Sequence, residues 1–151
     1  MKRKVLVACK LEEVGLKKLR ARPDFDLEIL PKPGDAELKD RIRDAEAVII
    51  KSNVKLGADI LEGAKALKII CRAGAGVDNV DLKKATLMGI PVTNTPGLNS
   101  NSVAEQVFSY IHILYKNLAA YDRTTKAGQW EKGRFPVAAR LQPFGGGSAG
   151  S

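Results

Sequence analysis

An α/β fold built on five parallel strands is predicted by two features of the sequence. Short, continuous apolar runs recur at roughly twenty-residue spacing, the pattern of strands covered on both faces. Segments whose apolar residues fall at helical intervals separate them, and such alternation indicates a parallel sheet with right-handed crossovers. All five runs lie before residue 95.

The strand runs are Val5-Leu6-Val7-Ala8, Leu27-Glu28-Ile29-Leu30, Ala47-Val48-Ile49-Ile50, Leu67-Lys68-Ile69-Ile70 and Ile90-Pro91-Val92-Thr93. Between them, Leu11, Val14 and Leu19, then Leu38, Ile42 and Ala45, then Ile60, Leu61 and Ala64, and finally Leu82 and Ala85 mark four helices. Pro91 cannot donate to a ladder, which puts the fifth strand at an edge, and Gly89 is a suitable helix stop. Ser102-Val103-Ala104-Glu105 has the form of a capping box and predicts the start of a long helix. Val103, Val107, Ile111, Leu114 and Leu118 give that helix one apolar stripe of about five turns, which needs a partner surface. After Tyr121 the periodicity decays, Lys126 to Arg134 reads as a basic arm around Trp130, and Gly145 to Ser151 reads as a flexible linker. The expected organisation is a lobe over residues 1–100, a helix and arm over 101–135, and an unrelated tail over 136–151.

A chain of 151 residues that is 44% hydrophobic buries one sizeable core. Its net charge of +8 biases encounters toward anions. Acidic residues are interspersed, as in Lys39-Asp40-Arg41-Ile42-Arg43-Asp44, which is the look of solvated helix faces rather than a nucleic-acid surface. Cys9 and Cys71 each adjoin an apolar run, which suits buried, reduced thiols in a cytosol. Met1-Lys2-Arg3-Lys4 and the apolar run after it are too short for a signal peptide, and no stretch approaches the ~20 apolar residues of a membrane span. A soluble, cytoplasmic protein is expected.

Arg72-Ala73-Gly74-Ala75-Gly76-Val77-Asp78 follows the fourth strand, at the end where open α/β sheets bind ligands. Its glycines let backbone N–H groups approach an anion and Arg72 adds charge, whereas a tight strand-to-helix turn alone uses one or two glycines. Lys51-Ser52-Asn53 holds the corresponding place after the third strand and reads equally as part of an anion site or as a solvated loop. Asn94 to Ser100 reads as a polar turn before the long helix. His112 has no acidic or nucleophilic residue at helical spacing and reads as a helix-surface histidine rather than a base. Gly145, Gly147 and Gly150 match Gly-x-Gly-x-x-Gly without a strand before or a helix after, so no dinucleotide loop is assigned there, and two distant cysteines with one histidine make no metal site.

The run Arg72-Ala73-Gly74-Ala75-Gly76-Val77-Asp78-Asn79-Val80-Asp81, with Asn94-Thr95-Pro96, Asn99-Ser100 and Ala104-Glu105, resembles the NAD-dependent D-2-hydroxyacid dehydrogenases of the D-3-phosphoglycerate dehydrogenase type. The resemblance covers about Lys4 to Phe135. It implies a flavodoxin-like substrate lobe with strand order 2-1-3-4-5 and helices on both faces, joined by the long helix to a Rossmann domain. That domain carries the catalytic Arg, Glu and His, and the chain is expected to stop before it.

By resemblance, the backbone around Ala73, Gly74, Ala75 and Gly76 holds the substrate carboxylate, with Lys51, Asn53 and Arg72 toward the phosphate end. Ala75, Asn99, Ser100 and Val103 border the nicotinamide of a full-length parent, and the Trp130 to Arg134 arm reaches a neighbouring subunit. Relatives often carry Thr at the position of Ala75 and Arg at that of Lys51, and the lysine lacks a bidentate fork for phosphate.

The function expected is therefore that of a substrate-binding lobe from an NAD-dependent dehydrogenase of serine biosynthesis, inert alone and holding no cofactor itself. Its stripe over the 101–121 helix is expected to drive self-association, with a dimer favoured, and its ligand is a small anionic substrate. The alternative is a stand-alone flavodoxin-like anion-binding or interaction module. A phosphoreceiver needs an acidic pair after strand one and an aspartate after strand three, but Cys9-Lys10 and Lys51-Ser52 stand there. A flavin protein needs a Ser/Thr-rich loop after strand one, and that is missing too.

Overall fold

The computed structural model describes residues 2–130, and the chain divides into two compact units between Asn99 and Ser100. The first unit is a five-stranded, all-parallel sheet made of β1 (Arg3–Val7), β2 (Phe25–Ile29), β3 (Ala47–Ile50), β4 (Ile69–Arg72) and β5 (Val92–Thr93). The strand order is β2-β1-β3-β4-β5, the flavodoxin-like order. Pro91 precedes β5 at the edge, where its missing N–H breaks no ladder and its carbonyl still accepts from the Ile70 N–H at 3.0 Å.

Alternation along the strands sorts side chains onto two faces. Leu6, Val48, Ile50 and Ile70 point to the face covered by α2 (Asp35–Arg41), α3 (Ala58–Gly63) and α4 (Leu82–Leu87), and with Leu38 and Leu61 they form the buried core. Each such side chain contributes about 1.5–3 kcal/mol of burial. The opposite face carries Val5, Ala47, Ile49, Ile69 and Cys71. There α1 (Glu13–Arg20) lies near β2, and a hollow of about 290 Å³ remains between Leu19, Phe25 and these strand residues.

The strands begin and end by pairing rather than by hydrophobicity. β1 starts at Arg3 because Arg3 pairs with Phe25, and β4 starts two residues after Leu67, which is buried beneath it while its N–H bonds the Ala64 carbonyl at 3.2 Å.

The second unit holds α5 (Ser100–Tyr115) and α6 (Leu118–Lys126) and corrects two expectations. Ser102 lies inside α5 and does not cap it, because the turn over 96–99 already enters the helix at Ser100 and leaves Glu105 too far along for a capping box. The stripe is also not one helix, because Asn117 adopts a left-handed conformation with φ 50° and separates Leu118 from the rest. Asparagine tolerates that conformation at a helix end. Past Tyr121 the helix continues to Lys126, supported by the Lys126–Asp122 pair at 2.9 Å and by the Thr124 hydroxyl donating to the Ala120 carbonyl at 3.1 Å. The arm beyond Trp130 and the tail over 136–151 lie outside the described residues.

Candidate functional site

The C-terminal ends of β3, β4 and β5 bring three loops together in the first unit. After β4 the chain turns through Ala73 to Val77, anchored by the Ala73 N–H on the Ile50 carbonyl at 2.8 Å and the Gly74 N–H on the Arg72 carbonyl at 2.9 Å. The next two carbonyls both face the β5 loop. Thr95 donates its N–H to the Gly74 carbonyl at 3.0 Å, and Asn94 donates Nδ2 to the Ala75 carbonyl at 2.6 Å. Among the described residues, no group accepts from the N–H of Ala75 or Gly76.

Arg72 folds back over this loop. A Cβ on Gly74 would sit 2.8 Å from the Arg72 Cζ, and one on Gly76 would lie 4.0 Å from its Nη2. The Arg72 Nε is buried without a hydrogen-bond partner, and no carboxylate pairs with the guanidinium among the described residues. The carboxylate of Asp78 also adjoins Gly76, its Oδ1 2.9 Å from where the same Cβ would stand. A glycine loop that holds N–H groups without acceptors and has an unpaired guanidinium packed against it is suited to a small carboxylate or phosphate.

The Lys51-Ser52-Asn53 turn is tied to the same loop by Asn79. This buried side chain donates Nδ2 to the Lys51 carbonyl at 2.9 Å and to the Val54 carbonyl at 2.6 Å, while the backbone carbonyl of Asn79 accepts from the Leu56 N–H at 2.8 Å. Asp81 then caps α4 by accepting from the Lys84 N–H at 2.9 Å.

The expected site residues divide between these places. Arg72, Ala73, Gly74, Ala75 and Gly76 are together, and Asn53 is exposed on the neighbouring turn. Arg72 is paired with Ile50, so alternation sends Lys51 off the opposite face, where its charge is felt at Cys9. Burial pushes the Cys9 thiol above its ordinary range, and Lys51 partly offsets this. Asn99 ends the first unit, while Ser100 and Val103 lie in the opening turns of α5, exposed. His112 is exposed on α5 with Nδ1 2.8 Å from the Phe108 carbonyl. Asn79 and Asn94 were not singled out from the sequence as ligands of the neighbouring loops. Only Asp81 carried a readable signal, an aspartate just before a helical pattern.

Residues 5–133 match the D-isomer-specific 2-hydroxyacid dehydrogenase family, catalytic domain. The chain belongs to this family. It is 37% identical over 135 residues to the chloroplastic D-3-phosphoglycerate dehydrogenase 2 of Arabidopsis thaliana, covering 89% of this chain and 21% of that protein. A crystal structure from Pyrococcus horikoshii OT3 superposes with a TM-score of 0.72 at 35% identity, covering 88% of this chain and 39% of that one. The cofactor (NAD+)-bound 3-phosphoglycerate dehydrogenase of Entamoeba histolytica superposes with a TM-score of 0.67 at 30% identity, covering 77% and 40%. The chain thus spans about a fifth of the Arabidopsis relative's length and about two fifths of those structures.

The described residues do not form a dinucleotide cradle of the family's kind. The glycine loop after β4 has Asn79 where a third glycine belongs, and that side chain is committed to the Lys51 and Val54 carbonyls. Among the described residues, no helix is long and apolar enough to cross a membrane.

Proposed function

We propose that this chain is the substrate-side lobe of a D-2-hydroxyacid dehydrogenase acting on a phosphorylated 2-hydroxyacid of the 3-phosphoglycerate class, which assigns the parent to serine biosynthesis. The observation that carries the reading is the Arg72 guanidinium, unpaired at Nε and lying against Gly74, in the same loop whose Ala75 and Gly76 N–H groups have no acceptor among the described residues. The substrate carboxylate binds those N–H groups, and Arg72 with Asn53 faces the remaining negative charge. Lys51 contributes long-range attraction from the other face. NAD is the parent's oxidant and takes the C2 hydride; the residues described supply binding and orientation only, so the chain by itself is inert. The free thiols of Cys9 and Cys71 favour a reducing, cytoplasmic compartment. The exposed apolar side chains of α5 support self-association, with a dimer as the favoured state.

The test is a titration of the ¹⁵N-labelled chain with 3-phospho-D-glycerate, followed at the Ala75 and Gly76 amides, beside calorimetry with NAD. Saturable shifts at those amides and no heat from NAD are expected. No shift up to about 10 mM ligand, weaker than ~3 kcal/mol of binding, rejects the lobe as an anion site. NAD binding at about 1 mM or tighter rejects its inertness.

A further inference from the structure

We infer that Asn94, on the loop after β5, is a positioning residue that aims the backbone donors of the anion site. A trans peptide group is planar, so its C=O and N–H point in opposite directions, and the structure has no cis bond among the described residues. The carbonyls of Gly74 and Ala75 belong to consecutive peptide groups, which in an extended chain face opposite ways. Here both face the β5 loop, the first held by the Thr95 N–H at 3.0 Å and the second by Asn94 Nδ2 at 2.6 Å. The N–H groups of Ala75 and Gly76 therefore both point away from β5, as a pair of near-parallel donors of the kind that cradles an anionic oxygen.

The Thr95 bond is backbone and survives substitution, whereas the Asn94 bond is chemistry chosen by the side chain. An aspartate there has no N–H to give and sets a carboxylate against the Ala75 carbonyl, favouring rotation of the 75–76 peptide. Asn94 is exposed and belongs to no part of the buried core, so its replacement leaves the fold intact.

This inference rests on the reading of the glycine loop as an anion site, and the test separates the two. The wild-type chain and its Asn94→Ala, Asn94→Asp and Asn94→Gln variants are titrated with 3-phospho-D-glycerate by ¹H–¹⁵N NMR, with melting temperatures measured in parallel. Expected are a loss of about tenfold in affinity for Asn94→Ala, a larger loss for Asn94→Asp, partial recovery for Asn94→Gln, and unchanged melting for all three. In the unliganded variants the Gly76 amide signal moves while those of Ile50 and Ile70 stay. Wild-type binding retained in Asn94→Ala and Asn94→Asp overturns the positioning role alone, as does a loss matched by a fall in melting temperature. Absence of any shift in the wild type overturns both readings.

Discussion

The Arg72 guanidinium lies across the place that a Cβ on Gly74 would occupy, its Cζ 2.8 Å from that point. Only glycine leaves room for the arginine to cover the loop. Gly74→Ala must therefore push Arg72 away and also hold an L side chain at φ 159°, so the cost to stability is about 1–3 kcal/mol. The affinity for 3-phospho-D-glycerate is expected to fall about tenfold, since the charge is displaced from the N–H pair. Thermal melting and the same NMR titration measure the two effects separately, and an Ala variant with wild-type affinity contradicts the geometry.

Arg72 itself contributes little to folding. Its Nε is buried without a partner and no carboxylate pairs with it among the described residues, so its removal leaves no buried charge unmatched. Arg72→Met is expected to melt within about 0.5 kcal/mol of the wild type, or above it, while anion binding is lost. Arg72→Lys keeps the charge without the planar fork and should retain only part of the affinity. A large destabilisation of Arg72→Met in urea denaturation would show that the residue holds the fold rather than a ligand.

The sheet was legible because its signals were periodic: β3 runs Ala47–Ile50, the residues that hydrophobicity alone marks. The other strands moved where ladder pairing, a long-range property, overrode local composition, as with Arg3 opposite Phe25. The break at Asn117 was hidden because Leu118 continues the apolar spacing across a residue whose φ no periodicity records. At the site, the glycines and Arg72 were readable as a motif. What the motif concealed is that its second half is structural: Asn79 ties down the neighbouring turn, Val80 is buried, and Asp81 caps α4. Side-chain bonds between loops distant in sequence leave no local trace.

The two thiols are expected to differ in reactivity. Cys9 is buried, and burial raises its pKa above the ordinary 9.0, whereas Cys71 is half-buried beside the hollow of the α1 face. Alkylation of the native chain at pH 8 should modify Cys71 first and Cys9 only on unfolding. Because the folded state holds the Cys9 proton more tightly, its stabilising contribution is complete below pH 9.0 and is lost as pH rises through the folded value. Lys51→Met removes the opposing charge and should raise the Cys9 value further, so that the loss still begins near pH 9.0 but continues to higher pH and is larger in total. Peptide mapping after timed alkylation, and urea melts between pH 8 and 11, check both statements; faster labelling of Cys9 than of Cys71 contradicts them.

The helix α5 is the remaining source of testable behaviour, because it carries apolar side chains that no α5 burial compensates. Val103, Val107 and Leu114 are 53%, 50% and 73% exposed, and Phe108, Tyr110 and Tyr115 on the same helix are exposed as well. At about 25 cal/mol per Å², such a surface represents several kcal/mol that burial against a partner would recover, which favours association. The proposed dimer is expected to appear in light scattering of the wild-type chain as twice the monomer mass. Ile111→Asp with Leu114→Asp places two charges one turn apart on this surface, where a dimer interface cannot bury them unpaired. The double variant should therefore scatter as a monomer. Its melting temperature separates the alternatives: a dimer loses mass and its concentration-dependent stability together, whereas a helix packed within its own chain loses stability at constant mass. A wild-type monomer indifferent to both substitutions would show that α5 stays solvated and that its apolar residues have no partner in these 151 residues.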